Sequence, residues 1–148
     1  MVWGENSAFE YGGTAEEQTG FKLDAAWLKK YGVSVWCFIS DDDVVKKAKE
    51  EKVTRAIISM RKASAVRDGS IYVIGNAPTA LLELIRLIEE GKAKPSLIIG
   101  VPVGFVSAAE SKERLLSMSV PFITSRGRKG GSPVAVAIMN ALSLLAIQ

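Results

Sequence analysis

Short, almost wholly apolar runs recur along this chain, and between them the apolar positions fall three or four residues apart. The runs are Val33-Ser34-Val35-Trp36-Cys37-Phe38-Ile39, Ser70-Ile71-Tyr72-Val73-Ile74, Leu97-Ile98-Ile99-Gly100-Val101 and Val120-Pro121-Phe122-Ile123-Thr124. A continuous apolar run of this length, bounded by turn residues, reads as a strand buried on both faces. The spaced segments read as amphipathic helices. One is expected over 23–31, stopped by Gly32, and another starts at Ser40 with Asp41, Asp42 and Asp43 and runs to about 51. A third spans Thr54 to about Arg67, with Ile57, Ile58, Met60, Ala63 and Val66 on its inner side, and Asp68-Gly69 closes it. Further helices follow Pro78, carrying Leu81, Leu84, Ile85 and Ile88 to a stop at Gly91, then from Ala108 to Ser117, and from Pro133 to Ile147. Pro78 suits a first helical position, because its missing amide hydrogen would have no partner there.

Apolar strands alternating with amphipathic helices require a parallel sheet covered on both faces, hence a three-layer α/β/α domain of four to five strands. In such sheets every strand-to-helix turn leaves from the same carboxyl edge, where ligands bind. The turns at 75–79, 100–107 and 124–132 are therefore expected to converge. Residues 1–22 stand apart from the domain over 23–148: they are rich in Gly, Glu, Ser and Thr, with Trp3, Phe9 and Tyr11 at no clear period. This head is either loosely ordered or docks on a partner.

Composition narrows the chemistry. With 148 residues, 48% of them hydrophobic, the chain can bury a three-layer core. Nineteen Lys and Arg against 16 Asp and Glu give +3, interspersed, which is too mild for nucleic acid and suits a small anionic ligand. There is no histidine and only one cysteine, Cys37, so the usual metal ligands and the commonest general base are missing and no metal site is expected. Cys37 reads as a buried thiol in a reducing, cytoplasmic compartment. No apolar run approaches the ~20 residues that span a bilayer, so no membrane partner is expected. The Asp41-Asp42-Asp43 cluster reads as a helix start, where negative charge meets the helix dipole.

The densest chemistry lies in Ser125-Arg126-Gly127-Arg128-Lys129-Gly130-Gly131-Ser132, a glycine-rich turn with three cations that opens onto the last helix. Glycines let backbone approach a ligand, and unpaired helix-start amides and the dipole favour an anion. A plain solvated basic loop ahead of a Ser132-Pro133 helix start would look the same in isolation. Neither a Gly-x-Gly-x-x-Gly turn nor a Gly-x-x-x-x-Gly-Lys-Ser/Thr loop is present. A nucleotide- or flavin-phosphate-binding module on this fold therefore lacks a motif, although fold alone leaves it open.

Gly75-Asn76-Ala77-Pro78-Thr79-Ala80-Leu81, Gly100-Val101-Pro102-Val103-Gly104-Phe105-Val106, Ala108-Ala109-Glu110-Ser111-Lys112-Glu113 and Arg126 to Ser132, with Thr54-Arg55 ahead of Met60-Arg61-Lys62-Ala63, resemble the signature segments of the precorrin-8X methylmutase family. The resemblance runs in order from about Gly32 onward. It implies a flavodoxin-like fold, a homodimer, and a part in cobalamin biosynthesis: migration of a methyl group from C-11 to C-12 of a corrin macrocycle, giving hydrogenobyrinate or its cobalt form, with no cofactor. The substrate is a tetrapyrrole bearing several carboxylates.

On that resemblance Arg55 contacts substrate, Gly75, Asn76 and Ala77 present backbone amides and a side-chain amide at the sheet edge, and Thr79 sits on the following helical turn. Gly104 lets the macrocycle approach, and Arg126, Arg128 and Ser132 hold peripheral carboxylates. Each also has a plainer role: Arg55 in an ion pair, Gly75 and Gly104 in tight turns, Asn76 as a cap. The family's longer N-terminal region carries the histidine regarded as proton donor, and this sequence contains none. Three readings fit: a divergent isomerase using another donor such as Asp24 or Tyr31, a noncatalytic corrinoid-binding relative, or an incomplete version of an ordinary isomerase. One strand of the family's five-stranded sheet is expected to be either lost or rebuilt by the head.

Overall fold

A computed structural model describes residues 34–146, with Gly32 and the backbone of Val2 and Trp3. In chain order the elements are β1 (Val2–Trp3), α1 (Asp42–Glu51), α2 (Arg55–Val66), β2 (Ile71–Ile74), α3 (Pro78–Glu89), β3 (Leu97–Gly100), α4 (Ala108–Leu116), β4 (Phe122–Thr124) and α5 (Ser132–Leu145). The four strands form one parallel sheet in the order β1-β2-β3-β4. The helix expected over 23–31 lies outside the described residues.

Because β2, β3 and β4 advance across the sheet in one direction, their crossover helices α3 and α4 pack on the same face. Tyr72, Ile74 and Ile98 point into that face, against Ile58, Met60 and Ala63 of α2, Leu81, Leu84 and Ile85 of α3, and Leu115 of α4. The intervening residues Val73 and Ile99, with Val101 just beyond β3, face the other way and are covered by Ala135, Val136 and Met139 of α5. The alternation explains why the strands read as unbroken apolar runs: each face has its own helical layer. The α/β, three-layer expectation therefore holds.

The run 33–39 does not form a strand of the sheet. Trp36 makes only an isolated bridge, and β1 of the head occupies the free edge of β2, pairing Val2 with Tyr72 and Trp3 with Val73. With that ladder position taken, residues 35–39 serve as packing. Phe38 and Ile39 enter the larger core, and Val35 and Cys37 pack toward α5. Cys37 is half-buried rather than enclosed, and Trp36 lies under the Arg67 guanidinium at 3.8 Å.

Two further expectations shift. Val66 ends α2 beyond the core and is exposed, whereas Ala56, Ser59 and Ser64 take places on the buried face. Asp41 occupies the N-cap position of α1 with extended backbone, but its carboxylate makes no cap hydrogen bond. Asp41 and Asp43 both accept from Lys62 Nζ at 2.6 Å, tying α1 to α2.

The helical layer is also laced by a buried carboxylate. Glu83 of α3 accepts from Arg61 Nε at 2.6 Å and from Arg86 Nη2 at 2.6 Å and Nε at 3.0 Å; Arg61 continues to Glu51, and Arg86 to Glu90. Hydrogen bonds from Arg86, then from Arg61, hold the Glu83 carboxyl below the usual glutamate range against a burial effect that raises it.

A depressed native pKa contributes stability above the ordinary unfolded value of about 4.3, and that stability is lost as pH falls below it. Glu83→Gln is expected to cost about 1–2 kcal/mol at pH 7, since both arginine partners are partly solvated. The gap between thermal melts of the two proteins should shrink as pH falls below about 4.3; a gap that stays constant as pH falls would contradict the assignment.

Candidate functional site

The ladder register sets the site. Ile74, Gly100 and Thr124 form one row across β2, β3 and β4, so the three following turns leave side by side. Thr124 Oγ1 donates to Gly100 O at 2.6 Å and locks the ends of β3 and β4 together.

The turns then converge through backbone. Gly131 N donates to Val101 O at 2.9 Å, and Gly104 N to Arg128 O at 3.3 Å, stitching 101–104 to 128–131. A Cβ on Gly130 would lie 2.1 Å from Val101 O, so that approach requires glycine. Gly75 is buried, and a Cβ there would lie 2.8 Å from Ser132 Cα; its open side is filled by the backbone at the start of α5. Gly104, at φ +144°, has only Ala108 Cβ near at 3.9 Å, leaving its outward side open.

Of the expected site residues, the structure brings together Gly75, Gly104, Arg126, Arg128 and Ser132. Ser132 begins α5, Gly131 being its N-cap, so the helix starts one residue before Pro133. Ala77 is the N-cap of α3, which leaves Asn76 outside the cap position. Thr79 Oγ1 lies 3.3 Å from Thr54 Oγ1, and Thr54 Oγ1 accepts from Ile57 N at 3.4 Å as the N-cap of α2. This contact sets the start of α2, and Arg55 with it, beside the start of α3. Arg55 is half-buried and lines a shallow hollow with Val45, Ala48, Lys49 and Val53, toward α1. It thus flanks the edge from the helical side.

The basic turn concentrates positive charge at this edge. Arg61, Lys62, Arg86 and Arg114 are each paired with carboxylates on the helical layer. Arg126, Arg128 and Lys129 are exposed, and among the described residues no carboxylate pairs with them. Three cations on one turn at the start of α5 concentrate the kind of charge that charge-assisted hydrogen bonds to carboxylates use.

Two residues that the sequence reading left out of the site stand in it. Phe105 is 87% exposed on the 101–107 turn, with the Arg128 guanidinium 5.5 Å from its ring centroid. A solvated aromatic this bare beside a guanidinium offers a flat apolar contact next to an anion-binding group. Lys112 of α4 is buried under the basic turn, where it donates to Lys129 O at 2.7 Å and Ser125 Oγ at 3.3 Å. Its position on α4 carries the signal: Ala108, Ser111, Lys112 and Leu115 share the inward stripe. Among the described residues no cluster of His, Cys, Asp and Glu could hold a metal, and no helix is long and apolar enough to cross a membrane.

The edge by itself does not identify a ligand, and comparison with known proteins places the chain in a family. A cobalt-precorrin-8 methylmutase of Priestia megaterium is 65% identical over 119 residues, covering 80% of this chain and 53% of that protein. One from Leptospira interrogans is 55% identical over 131 residues, covering 83% and 60%. The crystal structure of precorrin-8x methyl mutase from Thermus thermophilus superposes with a TM-score of 0.76 at 39% identity, covering 88% of this chain and 62% of that one. The chain spans roughly half to three-fifths of the length of these curated relatives. The family described as precorrin-8X methylmutase matches residues 21–145, taking in the sheet from β2 onward and every turn of the carboxyl edge; the chain belongs to that family.

Proposed function

We propose that the carboxyl edge binds a corrin macrocycle through its peripheral carboxylates, and that the chain serves as a methylmutase of cobalamin biosynthesis acting on precorrin-8X or its cobalt form. The observation that carries this reading is the set of unpaired cations at Arg126, Arg128 and Lys129, on turns drawn together by Gly75, Gly104 and Gly130. Such cations bind carboxylates by charge-assisted hydrogen bonds. Phe105 offers its face to the macrocycle, and the open side of Gly104 admits the ring edge.

The methyl shift is internal, so the protein's task is to orient the ring, exclude competing reactions and supply a proton near the migrating group. The residues at the edge account for binding and orientation. No histidine in these 148 residues can play the donor that the family resemblance implies. The relatives are named as methylmutases, which favours isomerase chemistry over a noncatalytic carrier or a flavin-binding module.

We further propose that the chain pairs as a homodimer through α5. That helix carries no charged residue, and its outward face presents Val134, Ala137, Ala141, Leu144 and Leu145 to solvent. A self-complementary apolar face of this kind suits a two-fold contact.

Spectral titration with hydrogenobyrinate tests the site, because the macrocycle reports its own environment and product binding requires no turnover. Arg126→Ala should weaken binding by about 1.5–3 kcal/mol, roughly 10- to 150-fold, with an unchanged melting temperature. No binding by the folded wild-type chain would sink the corrin reading. Conversion of precorrin-8X, followed by absorbance, tests the isomerase step itself.

Two more outcomes are expected. Gly75→Ala should cost about 1–3 kcal/mol in thermal unfolding, because β2 and α5 must separate to admit the methyl group. Ala141→Glu should yield a monomer in sedimentation at concentrations where wild type is dimeric, and an unaltered dimer would move the contact elsewhere.

A further inference from the structure

We propose that Lys112 is a positioning residue that holds the cationic turn 125–129 in the shape that receives ligand carboxylates; the ligand side of this inference rests on the corrin-binding reading above. Lys112 is 1% exposed, yet among the described residues no carboxylate neutralises it. Its ammonium donates to Lys129 O at 2.7 Å and to Ser125 Oγ at 3.3 Å, and Ser125 Oγ itself donates to Lys129 O at 2.8 Å. The three groups close a ring that joins the two ends of the turn, leaving Arg126, Gly127 and Arg128 as its tip.

Packing alone does not call for an ammonium here. A methionine would fill the same space without the desolvation penalty of an unneutralised charge, a penalty visible in the lowering of the Lys112 pKa by burial. What the ammonium adds is directed donors. The turn above it contains Gly127 at φ +76° and three mutually repelling cations, so without ties it would splay. Lys112 ties its base, while Gly104 N and Gly131 N tie its flank to the neighbouring turn. A fourth positive charge beneath the three also deepens the local positive potential, which an arriving polyanion relieves.

The test compares wild type, Lys112→Met, Arg126→Ala and the double variant by two readouts. The first is trypsin cleavage after Arg126, Arg128 and Lys129, followed by mass spectrometry without ligand. The second is spectral titration with hydrogenobyrinate. Lys112→Met is expected to be cut at the turn about tenfold faster, with cleavage elsewhere unchanged, because only local opening is eased. It should also bind about tenfold more weakly, and in the double variant the losses should be less than additive, since Lys112 acts through the turn that presents Arg126. Unchanged cleavage at the turn, or fully additive binding losses, would overturn the proposal. If wild type fails to bind hydrogenobyrinate, the corrin reading falls while the cleavage comparison still decides the role of Lys112. Should Lys112→Met not fold, Ser125→Ala removes the other tie at a half-buried position and is held to the same cleavage and binding outcomes.

Discussion

A parallel ladder clothed in apolar side chains on both faces is stable only between two helical layers, and the rest of this structure follows from that constraint. It places α3 and α4 over Tyr72, Ile74 and Ile98, and brings α5 back beneath Val73 and Ile99. It also aligns the strand ends, because parallel neighbours in register must release their chains at the same edge. The turns there have no freedom to sit elsewhere. Gly75 against Ser132 and Gly130 against Val101 show how closely the two sides of the sheet meet at that edge.

Charge is partitioned on the same plan. On the helical layer Arg61, Lys62, Arg86 and Arg114 are held in ion pairs, with Glu83 between Arg61 and Arg86, and with Asp41 and Asp43 on Lys62. Such pairs fix helices to one another and offer little to a ligand. At the carboxyl edge Arg128 lies over the Phe105 ring, and among the described residues no carboxylate pairs with Arg126, Arg128 or Lys129. On the reading proposed above, that charge is left for a polycarboxylate, which would tie a packing constraint to ligand binding.

The sequence disclosed those elements whose burial is two-sided or whose ends carry turn chemistry. Ile71–Ile74 and Leu97–Gly100 are readable because both faces are covered, and α3 because Pro78 and Gly91 bracket it. The run 33–39 has the same apolar density, but ladder membership depends on which segment pairs with the edge of β2. Two residues of a polar head, Val2 and Trp3, carry no periodicity that could announce they would occupy that edge. The basic turn was legible from its glycines and cations. Lys112 was harder to see, since a lysine inside Glu110-Ser111-Lys112-Glu113 looks solvated unless its place on the stripe with Ala108 and Leu115 is counted. Gly75 was recognised as an edge residue, while the identity of its neighbour, the start of a helix 57 positions later, is a tertiary fact that no local pattern contains.

The docking of α5 on Gly75 has a consequence for biosynthesis. The helix follows every strand among the described residues, so a polypeptide emerging from the ribosome assembles β2, β3 and the α2–α4 layer before the residues of α5 that cover Val73, Ile99 and Val101 are available. During that interval the face carrying Val73, Ile99 and Val101 lacks its helix, and the carboxyl edge is incomplete, because the basic turn lies between β4 and α5. The carboxyl edge is therefore completed in a single late event, together with closure of the second layer, and on the reading proposed above a nascent chain has no ligand site before that event.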